Sequence, residues 1–214
     1  MKLPVQIEIV PPGTAATNVT HEVFIVSREQ KISLLLKLLN DYRGSVLVFI
    51  RTKFGVKKVV RYLRNANYIA GELHSNRSPS QRREALEGFK TGRYRILVAT
   101  DIAARGIDVT GIELVINYDL PMQAGDYVHR IGRTGRAGAS GHAISFATPD
   151  QRGDLRTIEK LLRKTLPLTK LPESLPTPPP SSLNQRHRQP YHSRANRSFS
   201  ENRRRREFNR RRHS

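Results

Sequence analysis

The sequence contains no cysteine and no tryptophan, and only two methionines. Without cysteine there are no disulfides, no thiolate metal sites and no thiol nucleophile. That usage suits a reducing compartment, and a cytoplasmic location is expected. Acidic residues are scarce: 18 Asp plus Glu stand against 38 Lys plus Arg, a formal net charge of +20 in 214 residues. Long apolar runs are absent as well. None approaches the ~20 residues that a membrane span requires, so no membrane partner is expected. The opening Met1-Lys2-Leu3-Pro4 leads to Pro11-Pro12-Gly13 rather than to an apolar signal core. The apolar fraction is 37%, below the ~45–50% typical of folded domains, so part of the chain is expected not to fold. What so much positive charge calls for is a polyanion, and nucleic acid is the leading candidate.

The charge is unevenly placed. Residues 183–214 hold eleven arginines and two glutamates, a charge of +9, which leaves +11 for the other 182 residues. This C-terminal segment includes Arg203-Arg204-Arg205-Arg206, with Tyr191, Phe199 and Phe208 spread along it. Aliphatic residues are nearly missing from it, so it cannot bury a core and is expected to be a disordered basic tail. Arginines that neutralise phosphates, interleaved with rings that stack on bases, suit single-stranded RNA bound without regard to sequence. A Pro-rich stretch over 169–182 reads as a stiff linker in front of the tail.

The rest alternates between two periods. β-branched apolar runs at 46–50, 96–99, 114–118, 143–147 and 23–26, with a weaker one at 69–73, read as buried strands. Helical spacing links Ile32, Leu35, Leu36 and Leu39, and again Val56, Val59, Val60 and Leu63. Buried strands alternating with helices predict an α/β fold, with a mainly parallel sheet sandwiched by helices. Helix starts are expected at Ser27-Arg28-Glu29-Gln30, Ser78-Pro79-Ser80-Gln81 and Thr148-Pro149-Asp150-Gln151. Each has the capping-box pattern, and the last two add Pro at the first helical position. In such a sheet, function gathers in the loops beyond the carboxyl ends of the strands.

Two of those stretches carry chemistry. Thr100-Asp101-Ile102-Ala103-Ala104-Arg105-Gly106-Ile107-Asp108 follows a buried strand and offers two carboxylates, a hydroxyl and an arginine. His129-Arg130-Ile131-Gly132-Arg133-Thr134-Gly135-Arg136 places arginines three apart, with glycine between the later ones. Arginine supplies a permanent charge and a planar fork of donors that matches phosphate oxygens. Together these stretches resemble motifs V and VI of the DEAD-box family of ATP-dependent RNA helicases. Val48-Phe49-Ile50-Arg51-Thr52 resembles motif IV, and Pro79-Ser80-Gln81-Arg82 stands where the family has its QxxR element. Val115-Ile116-Asn117-Tyr118-Asp119-Leu120-Pro121 is also typical of the family. The motifs occur in family order over residues 20–165, and their style is nearest to bacterial RhlE-type members.

The resemblance implies a single RecA-like domain, the second of the two in such a helicase, over 20–168. Residues 1–19 would then be what remains of an interdomain linker. It implies that Arg133 and Arg136 act as arginine fingers on the γ-phosphate of ATP. Asp108 would accept from a ribose hydroxyl, and His129 and Arg130 would couple the nucleotide site to the domain interface. Arg82 and Thr100 would hold the RNA backbone, with Arg51 and Thr52 nearby. Phe49 reads as a core residue that also packs against the motif VI arginines. Asp101 has a site role, caps its loop, or pairs with a neighbouring arginine. Arg105 braces the loop or faces the other domain, and His74 and His142 are structural. Two positions depart from the family pattern: Pro79 replaces the glutamine of QxxR, and Arg51 stands where asparagine is common.

Other family parts are not in this sequence. The phosphate cradle G-x-x-x-x-G-K-[ST] does not occur, nor does the tetrapeptide D-E-A-D. No metal site is expected on these residues. ATP and Mg²⁺ are expected only together with an N-terminal RecA-like domain, supplied in cis or in trans. Two other readings fit the same residues: a stand-alone, nonspecific RNA-binding or annealing protein, and an inactive truncated fragment.

Overall fold

The computed structural model describes residues 18–105, 107, 109, 111–135 and 140–179. Seven strands form one sheet: β1 (Val19–Ile25), β2 (Val46–Phe49), β3 (Ala70–Leu73), β4 (Ile96–Ala99), β5 (Leu114–Asn117), β6 (Gly141–Ala147) and β7 (Leu168–Thr169). Their order is β3-β4-β2-β5-β6-β1-β7, and every pairing is parallel. The helices are α1 (Lys31–Asp41), α2 (Lys53–Asn65), α3 (Pro79–Lys90), α4 (Asp101–Ala104), α5 (Ala124–Ile131) and α6 (Arg152–Leu162).

All four residues of β2, β4 and β5 are buried. Alternation then divides them between two faces. Val46, Val48, Ile96, Val98, Leu114 and Ile116 join the core under α1 and α2. Leu47, Phe49, Leu97, Ala99 and Val115 join Ala85 and Phe89 of α3, together with Ala103 and Ala104 of α4, on the other face. Tyr127 and Ile131 of α5 pack with Leu155 and Ile158 of α6 in a third cluster, over β1 and β6. Each fully buried Val, Leu or Ile contributes about 1.5–3 kcal/mol.

The helix starts follow their local chemistry. Ser78 Oγ accepts from Gln81 N at 3.3 Å while Gln81 Oε1 accepts from Ser78 N at 3.2 Å, with Pro79 inside the first turn. Thr148 and Gln151 form a second reciprocal box, which opens a 3₁₀ turn leading into α6. At Ser27 only half of the box forms. Its hydroxyl takes the Gln30 N–H at 3.4 Å, and the regular helix starts at Lys31.

Two features depart from the sequence expectation. Strand β7 is only two residues long, paired with Val23 and Phe24 at the sheet edge, and is too short to show a period. The Pro-rich stretch expected as a linker is folded onto the domain as far as Pro179. Leu171 and Leu175 pack on the α1–α2 side of the core, and Leu175 shares a groove with Leu36 and Tyr68. Two apolar anchors suffice because proline leaves little backbone freedom to lose. The expected tail, including Arg203, Arg204, Arg205 and Arg206, lies outside the described residues, as do Asp108 and Arg136.

Candidate nucleotide and RNA site

The carboxyl ends of β2, β4 and β5 bring the sequence motifs together around one buried arginine. Arg130, on α5, is only 2% exposed. Its Nε donates to Asp101 Oδ1 at 2.6 Å and its Nη2 to Asp101 Oδ2 at 2.8 Å, a bidentate pair. Its Nη1 donates to Asn117 Oδ1 at 3.1 Å and to the Asp119 carbonyl at 2.6 Å. The guanidinium also lies over the Phe49 ring, 5.1 Å from its centroid. Phe49 is thus both core and arginine platform, and Asp101 is an arginine partner. A buried guanidinium is tolerable only with its donors filled, and here one side chain ties together the loops after β4 and β5.

The polar contacts continue behind Arg130. Asn117 Nδ2 donates to Ser145 Oγ at 3.1 Å, Ser145 Oγ lies 3.4 Å from the Tyr127 hydroxyl, and that hydroxyl lies 3.3 Å from His21 Nδ1. Burial and then nearby Lys164 lower the His21 pKa to about 4, so the ring at the end of this chain is neutral at neutral pH. Burial also raises the Tyr127 hydroxyl above its ordinary value. Asn117, Ser145, Tyr127 and His21 were not among the expected site residues. The available signals were a polar residue closing the apolar run of β5 and another inside β6.

Arg133 lies three residues beyond Arg130, and its Nη1 donates to the Ile107 carbonyl at 2.9 Å. Thr134 follows, 2% exposed, its hydroxyl donating to the carbonyls of Ile112 and Glu113. His129 is exposed and shares a small cleft with Asp101, Arg105, Asp126 and Arg133. Arg105 reaches Asp126 at 3.6 Å. His74 is fully buried, its Nδ1 accepting from Asn76 N at 3.2 Å. Burial pushes its pKa down, with Lys57 and Lys53 adding to the shift.

The residues expected on RNA lie on the loop after β2, at the starts of α2 and α4, and on α3. Arg51 follows β2; its backbone N–H donates to Asp119 Oδ2 and its Nη2 to the Leu120 carbonyl, both at 3.2 Å. Thr52 caps α2, accepting from Gly55 N at 3.0 Å. Arg82, on α3, reaches the Ala103 carbonyl at 3.4 Å, and Thr100 stands at the start of α4. Asp119 was not singled out, yet it is a junction. Its carbonyl receives Arg130, its Oδ2 receives the Arg51 backbone, and its Oδ1 pairs with buried Lys31 at 3.0 Å. Among the described residues, no group of three or more His, Cys, Asp or Glu is placed to hold a metal. No helix among them is long and apolar enough to cross a membrane.

Comparison with known proteins places this arrangement. A family model described as the helicase conserved C-terminal domain matches residues 30–138. The ATP-dependent RNA helicase DbpA of Bacillus subtilis is 43% identical over 163 residues, covering 76% of this chain and 34% of that protein. This chain therefore spans about a third of the length of that curated relative. The E. coli DEAD-box protein SrmB, solved bound to the regulator of ribonuclease activity A, superimposes with a TM-score of 0.67 at 31% identity. That match covers 74% of this chain and 96% of the other. S. cerevisiae Dbp5, solved with RNA and ADP BeF3, matches with a TM-score of 0.66 at 30% identity, over 72% of this chain and 42% of the other.

Proposed function

We propose a function from one premise: the chain belongs to the helicase C-terminal domain family, as the second RecA-like domain of a DEAD-box RNA helicase. It works as the C-terminal half of an ATP-dependent motor that opens short RNA duplexes. In that role Arg133 and Arg136 approach the γ-phosphate of ATP held by a first RecA-like domain. There they stabilise the charge that develops during phosphoryl transfer. The phosphate cradle and Mg²⁺, which neutralises phosphate charge, come with that other domain. Asp108 accepts from the ribose and His129 lines the interdomain cleft, while Arg130 acts from beneath by fixing α5.

The observation that carries this reading is the mounting of Arg133. Arg130 anchors the helix three residues before it through four hydrogen bonds, and buried Thr134 anchors the chain immediately after it. An arginine finger works by standing in place before the transition state forms, so a rigid mount is what the role requires. Arg51, Thr52, Arg82 and Thr100 take the RNA backbone without reading sequence. The arginine-rich segment, Arg203 to Arg206 included, adds nonspecific affinity. A RhlE-type place within the family rests on the wording of the motifs, and a cytoplasmic site of action on the cysteine-free composition.

The chain on its own is expected to show no RNA-stimulated ATP hydrolysis, and mixing it with a P-loop-bearing first domain is expected to restore it. Robust turnover by the isolated chain would refute the division of labour. Deleting residues 183–214 is expected to weaken RNA binding and flatten its salt dependence; an unchanged slope of log K against log salt would remove the segment from the interface.

A further inference from the structure

We infer that a cleft beside Arg51 seats one nucleotide of a single RNA strand, with the base against Tyr62 and a flanking phosphate on Arg51 and Lys58. The inference rests on the RNA-binding reading above and deepens it from backbone to base. The cleft opens at the carboxyl ends of β2 and β5, on the α1–α2 side of the sheet, with a volume of about 580 Å³. That is within the range of ordinary small-ligand sites, about 300–1,000 Å³.

One face of α2 builds its long wall. Thr52, Gly55, Val59 and Tyr62 follow one another at helical spacing, with Lys58 beside them. Ten residues of helix give that wall about 15 Å. Gly55 sits where a Cβ would come within 2.7 Å of Ile50 Cγ2, so the first turn of α2 packs tightly on the end of β2. The chemistry changes along the wall. At one end stand Arg51 and the Thr52 hydroxyl; at the other, Tyr62 and Val59 face Ile32 of α1. A nucleotide has this same polarity, a phosphate at one end and a flat ring at the other.

The cations are not equally available. Lys31 is spent on Asp119 Oδ1 at 3.0 Å and the Tyr118 carbonyl at 2.7 Å. Arg28 faces Asp150 at 3.6 Å. Arg51 spends one nitrogen of its fork on the Leu120 carbonyl. Lys58 has no ion-pair partner among the described residues. Arg51 and Lys58 are therefore the cations left to meet an anion, with the Glu29 carboxylate also in the lining. Of the two rings there, Tyr118 is engaged by Lys31, 5.4 Å from its centroid, and by Phe146, whereas Tyr62 packs one side on the core and stays partly exposed to meet a base. An acidic peptide would use the two charges but leave the ring without a purpose, so the combination favours RNA.

Photo-crosslinking of the intact chain to an oligouridylate carrying 5-iodouridine tests this, with the attached peptide identified by mass spectrometry. Crosslinks on the peptide containing Tyr62 are expected, and Tyr62→Leu should abolish them. Tyr62→Leu should also weaken binding about threefold to tenfold with the salt slope unchanged, because stacking releases no counterions. Lys58→Glu should reduce the slope by about one, because one phosphate contact is lost. Circular dichroism melting of Lys58→Glu should match the parent, and Tyr62→Leu, which alters a ring packed on the core, is to be assayed well below its own melting temperature. If crosslinks fall on the peptides of Arg82 and Thr100 but never on that of Tyr62, the cleft is overturned and the backbone-binding face stands. If they fall only within 183–214, both fail. An oligoglutamate that displaces the Tyr62 crosslink as well as RNA does would make this a peptide site and overturn the nucleotide assignment.

Discussion

Replacing Arg133 with alanine is expected to lower RNA-stimulated ATP turnover by about 10³- to 10⁵-fold, measured on this chain complemented with a P-loop-bearing first domain. The size follows from what such a group does. It supplies charge where charge develops, inside a closed and poorly screened site, and no water can replace it without reorganising. The site explains why the loss should fall on turnover. Arg133 is only partly buried, and its Nη1 donates to the Ile107 carbonyl at 2.9 Å. Arg130 and Thr134 remain to hold the backbone on either side. The melting temperature and the affinity for RNA should therefore change little. Arg133→Lys keeps the charge and loses the planar fork, so it should recover only part of the rate. Turnover within threefold of the parent for Arg133→Ala would take this residue out of the phosphoryl-transfer site.

How far this arrangement could be read from the sequence depends on whether a feature is local. Three strands were legible because a parallel strand covered on both faces must be apolar throughout, as β2, β4 and β5 are; β1, β3 and β6 showed only through the shorter apolar stretches within them. The boxes at Ser78 and Thr148 were legible because their partners lie three residues apart. The motif arginines were legible as a spacing. What lay beneath them was not. Asn117 meets Ser145 because β5 and β6 are neighbours in register, a fact of sheet order that separates the two by 28 positions in the chain. Asp119 is likewise the meeting point of residues brought in from β2, α1 and α5. Leu171 and Leu175 escaped notice for a different reason. Proline-rich composition describes the average stiffness of a segment, whereas two side chains decide whether it docks.

The buried pair beneath Arg133 makes the second large prediction. Asp101→Ala is expected to destabilise the domain by about 3–5 kcal/mol, because it strands a guanidinium that folding has taken out of water. Arg130 is 2% exposed, and Asp101 accepts from two of its three nitrogens. With a urea m-value of about 1–3 kcal/mol/M, the unfolding midpoint should fall by at least ~1 M with m unchanged. The loss reflects an unpaired charge more than a missing attraction, and a double-mutant cycle separates the two. Arg130→Met removes the charge and leaves a chain of similar length over Phe49, so adding Asp101→Ala to it should cost little more. Additive losses in that cycle would mean that the pair does not act as a unit. Coupled losses would have a consequence for turnover as well. Asp101→Ala should then impair ATP hydrolysis even under conditions where the domain stays folded, since α5 and the arginine mounted at its end would no longer be held against the loop that follows β4.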